Sequence, residues 1–168
     1  MTDSAQAILK AIKQDRKTAE HYLLCYDDER KKYELERADY ISMAKAGNEL
    51  DGHDPTARTS ELGVECDEQS ERYKWLRAVE IAAGTLDERH NIFLTARRAA
   101  DNRASRTRSR GRRGWVVLTQ RYYYDKITKR YPLDESGWLS DHSVKEWWRG
   151  IVSRTAEIAI RIKTDKKK

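Results

Sequence analysis

Between Ser4 and Gly47 the chain has neither proline nor glycine. Both interrupt helices, proline by removing a backbone donor and glycine through its conformational freedom. Ser4 can cap the free amides of a first turn, so this stretch predicts one helix over 4–46. Ala5, Ile12, Ala19, Tyr26, Tyr33 and Tyr40 recur every seven residues, with Ile8, Leu9, Tyr22, Leu23, Ile41 and Ala44 beside them. The three tyrosines would line one side. Such a stripe fits a coiled-coil or dimerisation arm, or a helix packed on its own domain. Arg30 and Arg37 stand where a clean heptad wants leucine, which tilts the balance toward the second.

The rest of the chain points the same way. With 37% charged residues, 38% hydrophobic residues and two prolines, it suits amphipathic helices better than strands. We therefore expect an all-α fold: a long amphipathic helix over 1–50, a linker over 51–66, a helical pair with a basic arm over 67–110, and a helix-turn-helix unit over 111–168. The linker rests on "GNELDGHDPTARTSEL" (47–62), where Gly47, Gly52 and Pro55 sit among polar residues. His53 and Asp54, lacking further His or Cys partners, read as loop residues rather than metal ligands.

A second helix is expected over 67–83, with Tyr73, Leu76, Val79 and Ala83 at helical spacing and Gly84 closing it. A third follows at once. In "TLDE", Thr85 would cap while Glu88 reaches back, and Leu86, Ile92, Phe93, Ala96 and Ala99 form its apolar face. The short turn at Gly84 predicts that these two helices pair antiparallel. From Trp115 the period returns, with Trp115, Leu118, Tyr122 and Ile127 on one face and Val116, Tyr123 and Tyr124 broadening it, until a break around Pro132 and Gly137. The last helix is the best defined. Ser140 can cap it, and Val144, Trp147, Trp148, Ile151, Val152, Thr155, Ile158, Ala159 and Ile162 keep helical spacing.

Several function classes find no support. No segment is long and apolar enough to span a membrane, and the N-terminus carries no apolar core with a cleavage site. Cys25 and Cys66 lie far apart without a CxxC partner, as expected of two free thiols in a reducing cytoplasm. No nucleophile motif, phosphate-cradling glycine loop or metal-binding helix is present, and His21, His53, His90 and His142 are scattered. We expect no enzymatic activity and no cofactor.

Charge is more informative. Residues 1–70 hold ten Lys/Arg against sixteen Asp/Glu, a balance of −6, while residues 71–168 hold twenty-four against twelve, a balance of +12. A basic C-terminal half suits a polyanionic partner, most often nucleic acid. Within it, "RASRTRSRGRRGW" (103–115) carries six arginines and no acid. The tract could be an inert solvated linker, an RNA-binding segment, or an arm lying along DNA phosphates. Its place immediately before the 115–130 helix favours the arm, with Arg106, Arg108, Arg110, Arg112 and Arg113 as phosphate contacts. Arg121, on the supporting helix, would add another.

A helix-turn-helix needs a supporting helix, a corner and a reading helix with a buried apolar side and a polar outer side. Residues 140–149 meet that requirement. Asp141, His142, Ser143, Lys145, Glu146, Arg149 and Ser153 would face bases and phosphates. Ser140 at the cap would leave amides for a phosphate.

"S-x-x-S-V" opening this helix (140–144), preceded by "L-x-x-RYY" (118–123), resembles the promoter-reading C-terminal domain of bacterial sigma factors. The closer resemblance is to phage regulators of the autolysin-regulatory-protein (ArpU) and RinA type, which carry such a domain. "KWLRAVEIAAGTLDERHNIFL" (74–94) resembles the stretch that precedes it in that family. The likeness covers 73–162 loosely and 115–160 best. It implies that Val144 and Trp148 are buried and that Lys145, Glu146 and Arg149 are exposed. It further implies a regulator of phage late genes that binds double-stranded DNA and contacts host RNA polymerase. The acidic N-terminal helix, outside the likeness, would then supply homodimerisation or a protein contact. The chain departs from the pattern between the helices. A middle helix would have to fit into 133–136, and Gly137 lies one position from the usual turn glycine.

Overall fold

The computed structural model describes residues 3–46, 55–107, 114–132 and 137–165, with side chains resolved within 5–46, 56–102, 114–132 and 137–162. Among them are seven helices and no strand: α1 (Asp3–Leu24), α2 (Tyr26–Ala46), α3 (Pro55–Gln69), α4 (Glu71–Gly84), α5 (Glu88–Thr107), α6 (Gly114–Arg130) and α7 (Asp141–Asp165). The all-α expectation is borne out, and several of its details change.

The N-terminal stretch is bent at Cys25 rather than continuous. The backbone ladder carries through, since the Cys25 amide donates to the His21 carbonyl at 2.9 Å and the Glu29 amide to the Cys25 carbonyl at 2.9 Å. What intrudes is Arg98, whose Nε donates to the Leu23 carbonyl at 2.7 Å. A side chain drawing on a ladder carbonyl is a recognised cause of helix kinks. The Arg98 guanidinium also lies 5.4 Å from the centroid of the Tyr26 ring.

The expected linker over 51–66 is helical from Pro55 onward; residues 47–54, with His53 and Asp54, lie outside the described residues. Proline suits a first helical turn, where its missing N–H has no intrahelical partner. The helix expected over 67–83 is therefore two, α3 and α4, broken at Ser70. That residue takes extended backbone angles (φ −79°, ψ 116°) and accepts from the Tyr73 amide at 3.1 Å, capping α4.

α2 lies antiparallel to α3 and α4, joined by ion pairs. Tyr26 Oη and Arg30 Nη1 both donate to Glu80 Oε1, at 2.8 and 2.6 Å. Arg37 Nε meets Asp67 at 2.9 Å, Tyr33 donates to the same carboxylate, and Arg72 bridges Glu29 and Glu36. Arg30 and Arg37 occupy heptad-like positions because acids on the neighbouring helices meet them there. Gly63 leaves room for the Arg37 guanidinium, which a Cβ at that position would displace.

α4 and α5 do not form the expected antiparallel pair. α4 packs on α7, and α5 packs on α6. Phe93 meets Tyr123 edge-on at 6.4 Å, and Glu88 at the start of α5 holds Arg130 (2.7 Å) and Tyr131 beyond α6. The antiparallel hairpin is thus α5–α6; residues 108–113 of the arginine tract lie outside the described residues. The Thr85–Glu88 capping box is also absent. Thr85 Oγ1 donates back to the Ala82 carbonyl at 2.8 Å, and Asp87 caps α5 by accepting from the His90 amide at 2.8 Å.

The buried stripe of α6 is Val116, Thr119, Gln120, Tyr123 and Ile127. Of the expected face Val116, Tyr123 and Ile127 are buried, whereas Trp115, Leu118 and Tyr122 are half-buried and Tyr124 is exposed. α7 runs as expected, seated on α4, α1 and α6. Val144, Trp148, Ile151, Val152, Thr155, Ala156 and Ala159 are buried. They share a core with Leu23, Trp75, Val79, Phe93 and Tyr123. α1 joins this core through Ala19 and Leu23, but its first turns leave Ile8, Leu9 and Ile12 exposed at 58%, 50% and 44%.

Candidate nucleic-acid interface

The start of α7 is fixed by local chemistry. Ser140 Oγ accepts from the Ser143 amide at 3.0 Å and lies 2.9 Å from the Ser143 hydroxyl. Ser140 therefore caps α7 as expected, and the Ser143 amide is the one its side chain takes. Gln120, buried on α6, completes the corner: its Nε2 donates to the Leu139 carbonyl and to Asp141 Oδ1, each at 2.9 Å. Gly137 is buried there because a Cβ would stand 3.2 Å from Ile127 Cγ2. The middle helix expected over 133–136 falls outside the described residues.

Val144 and Trp148 are buried, and Lys145, Glu146 and Arg149 are exposed, as the resemblance implies. These exposed residues divide between two sides of α7. Lys145 and Arg149 line a cavity of about 300 Å³ with Trp148 and Val152 of α7, Trp115 of α6, and Arg16, Lys17 and Glu20 of α1. Glu146 and Ser153 line a different cavity, of about 550 Å³, between α7 and the α4–α5 turn, with Asp87, His90, Trp147, Arg154 and Glu157. There the His90 ring lies 4.2 Å from Trp147, and its Nδ1 is 2.8 Å from Asp87. Contacts from His90 hold the Asp87 carboxyl below its ordinary range. His142 on α7 and Arg121 on α6 are exposed and line neither cavity. Arg106 lies in the backbone of α5 without a described side chain, and Arg108, Arg110, Arg112 and Arg113 lie outside the described residues.

The smaller cavity gathers positive charge. Arg16, Lys17 and Lys145 have no ion-pair partner among the described residues, while Arg149 pairs with Glu146. The one carboxylate in the lining, Glu20, accepts from Trp148 Nε1 at 2.9 Å. Behind the two indoles sits Arg97 of α5, 4% exposed, its guanidinium 4.4 Å from the Trp115 centroid and 4.9 Å from that of Trp148. Its Nη1 reaches Asp101 at 3.3 Å, and its Nε has no partner. Burial pulls this guanidinium below its ordinary pKa, with Asp101 and Glu20 opposing. It stays charged, because an arginine starts so far above neutrality.

Sequence reading found Lys145 and Arg149 and missed Arg16, Lys17, Arg97 and Gln120. The first two are hidden in an acidic half whose overall balance is negative. Arg97 and Gln120 show their roles only once α5 and α6 are folded together. The described residues contain no cluster of three or more His, Cys, Asp or Glu able to hold a metal, and no helix long and apolar enough to cross a membrane. The chain matches no protein-family model, no curated protein and no solved structure.

Proposed function

We propose that this chain is a sequence-specific, double-stranded-DNA-binding regulator of the phage late-gene activator type, acting by binding without chemistry. One observation carries the reading. Lys145 and Arg149 of α7 and Trp115, the first residue after the arginine tract apart from Gly114, line one cavity. Outward cations on a helix with a rigid apolar seat suit groove reading, and an arginine-rich sequence leading directly into α6 suits phosphate contacts. In this reading Lys145 and Arg149, with His142 nearby, select sequence, and Arg106, Arg108, Arg110, Arg112 and Arg113 supply affinity. Contact with host RNA polymerase belongs to the same reading.

Selection from a random duplex library tests it. A single enriched motif, altered by Lys145→Ala or Arg149→Ala, is the expected result. Absence of duplex binding at low salt would overturn the reading. A second reading, a DNA-packaging recognition subunit assembled as a ring, draws on the exposed Ile8, Leu9 and Ile12 stripe. Molar mass in solution separates the two, since a large ring favours packaging and a monomer or dimer favours regulation. A tryptophan-faced protein-binding module is disfavoured, because Trp115, Trp147 and Trp148 pack into or against the core and only Trp138 is largely exposed, at 55%.

A further inference from the structure

The N-terminal helix carries two cations whose surroundings set them apart. Most arginines of α2–α4 meet a carboxylate: Arg30 and Arg77 meet Glu80, Arg37 meets Asp67, and Arg72 meets Glu29 and Glu36. Arg16 and Lys17 meet none among the described residues. They line the cavity that also holds Lys145 and Arg149, walled by Trp115 and Trp148. Four cations thus share a concavity with one carboxylate, and that carboxylate is engaged by an indole N–H. The buried Arg97, incompletely paired behind the same two rings, adds positive potential from within. A concave surface with low-dielectric walls concentrates such a field and raises the local density of anions.

We infer that α1 is part of the DNA-contacting surface, with Arg16 and Lys17 holding a backbone phosphodiester in the cavity they share with Lys145 and Arg149. This rests on the DNA-binding reading and extends it to an element expected only to dimerise or to contact protein. The ligand chemistry is a phosphodiester monoanion, bound by charge and N–H donation with no bond made or broken. At about 300 Å³ the cavity readily admits a phosphate group. Because phosphate contacts position rather than specify, Arg16 and Lys17 supply affinity and register while base preference stays with α7.

The test is salt-titrated binding of the full chain to its selected duplex, or to random duplex if no motif is enriched. Arg16→Gln/Lys17→Gln is compared with Lys126→Gln/Lys129→Gln, an equal charge change on the exposed side of α6 toward its far end. Each lost phosphate contact lowers the slope of log K against log salt by about 0.9. The α1 pair should therefore flatten the slope by about 1–2 and leave the selected motif unchanged, while the α6 pair leaves the slope as in the parent. Arg16→Lys/Lys17→Arg, which keeps both charges, should restore the parental slope. Circular dichroism checks that each variant is folded. An unaltered slope in the α1 pair, with parental DNA binding intact, overturns this inference and spares the DNA-binding reading. Equal flattening in both pairs also overturns it, because net charge would then be the cause. No duplex binding by the parent overturns both.

Discussion

Replacing Arg97 separates charge from volume in the middle of the fold. The side chain is 4% exposed and sandwiched between Trp115 and Trp148. Arg97→Met keeps a long flexible stem between the rings and removes the guanidinium. The losses are two desolvated cation–π contacts of about 1–2 kcal/mol each. An ion pair to the partly exposed Asp101 adds less than about 1 kcal/mol. Against them stand relief of the unpaired Nε, about 1–3 kcal/mol, and sulfur–aromatic contacts of about 0.3–1.5 kcal/mol each. The terms nearly cancel, so Arg97→Met should lie within about 1 kcal/mol of the parent. Arg97→Ala removes the stem as well and leaves a void between the rings, which should cost about 3 kcal/mol. Urea unfolding followed by tryptophan fluorescence reads both, at unchanged m. If Arg97→Met were as damaging as Arg97→Ala, the charge rather than the volume would hold the indoles apart, and this reasoning would be refuted.

Two further perturbations probe single elements. Ser140→Ala removes the cap of α7 and should cost about 1 kcal/mol, lowering Tm by about 2–4 °C for a chain of this size; an unchanged Tm would mean another group caps the Ser143 amide. Burial alone would raise the Glu29 carboxyl, yet Lys32, Arg72 and His21 hold it below its ordinary range. Its contribution is therefore present above the unfolded value of about 4.3 and lost as pH falls through the lower folded value. Glu29→Gln should cost about 1.5–3 kcal/mol at neutral pH and flatten the acid limb of stability below about pH 5. Acid limbs that run parallel in parent and variant would remove Glu29 as the cause.

What was legible in the sequence follows the range of the forces involved. The start and buried stripe of α7 were legible because Ser140, Val144, Trp148, Ile151 and Val152 act within a few residues of one another. α3 was not, because only Leu62, Gly63 and Cys66 are buried on it among the residues whose exposure is described, too few to set a period against the polar residues around them. The kink at Cys25 depends on Arg98, 75 residues from the carbonyl it engages. The short turn at Gly84 suggested an α4–α5 pair, but Phe93 packs on Tyr123, and a loop's length does not determine which aromatic faces meet. Of the candidate interface, Lys145 and Arg149 could be read from periodicity. Their company with Arg16, Lys17 and Trp115 could not, since it arises from α1 crossing α7.

The cations of the chain fall into two populations that do not follow its acidic and basic halves. Between α2, α3 and α4, Arg30, Arg37, Arg72 and Arg77 are held inside carboxylate networks, with Glu29 only 4% exposed. At the α1–α7 cavity, Arg16, Lys17 and Lys145 face solvent without carboxylate partners among the described residues. Salt acts on these two populations differently. Attraction between exposed cations and a distant polyanion is screened beyond a Debye length of about 8 Å at physiological ionic strength, whereas partly buried pairs in contact are screened much less. Raising salt from about 50 to 200 mM should therefore weaken duplex binding steeply while leaving the urea midpoint of the free protein almost unchanged. A midpoint that fell in step with affinity would mean that the α2–α4 pairs are as open to solvent as the cavity cations, and that binding and folding draw on the same charges.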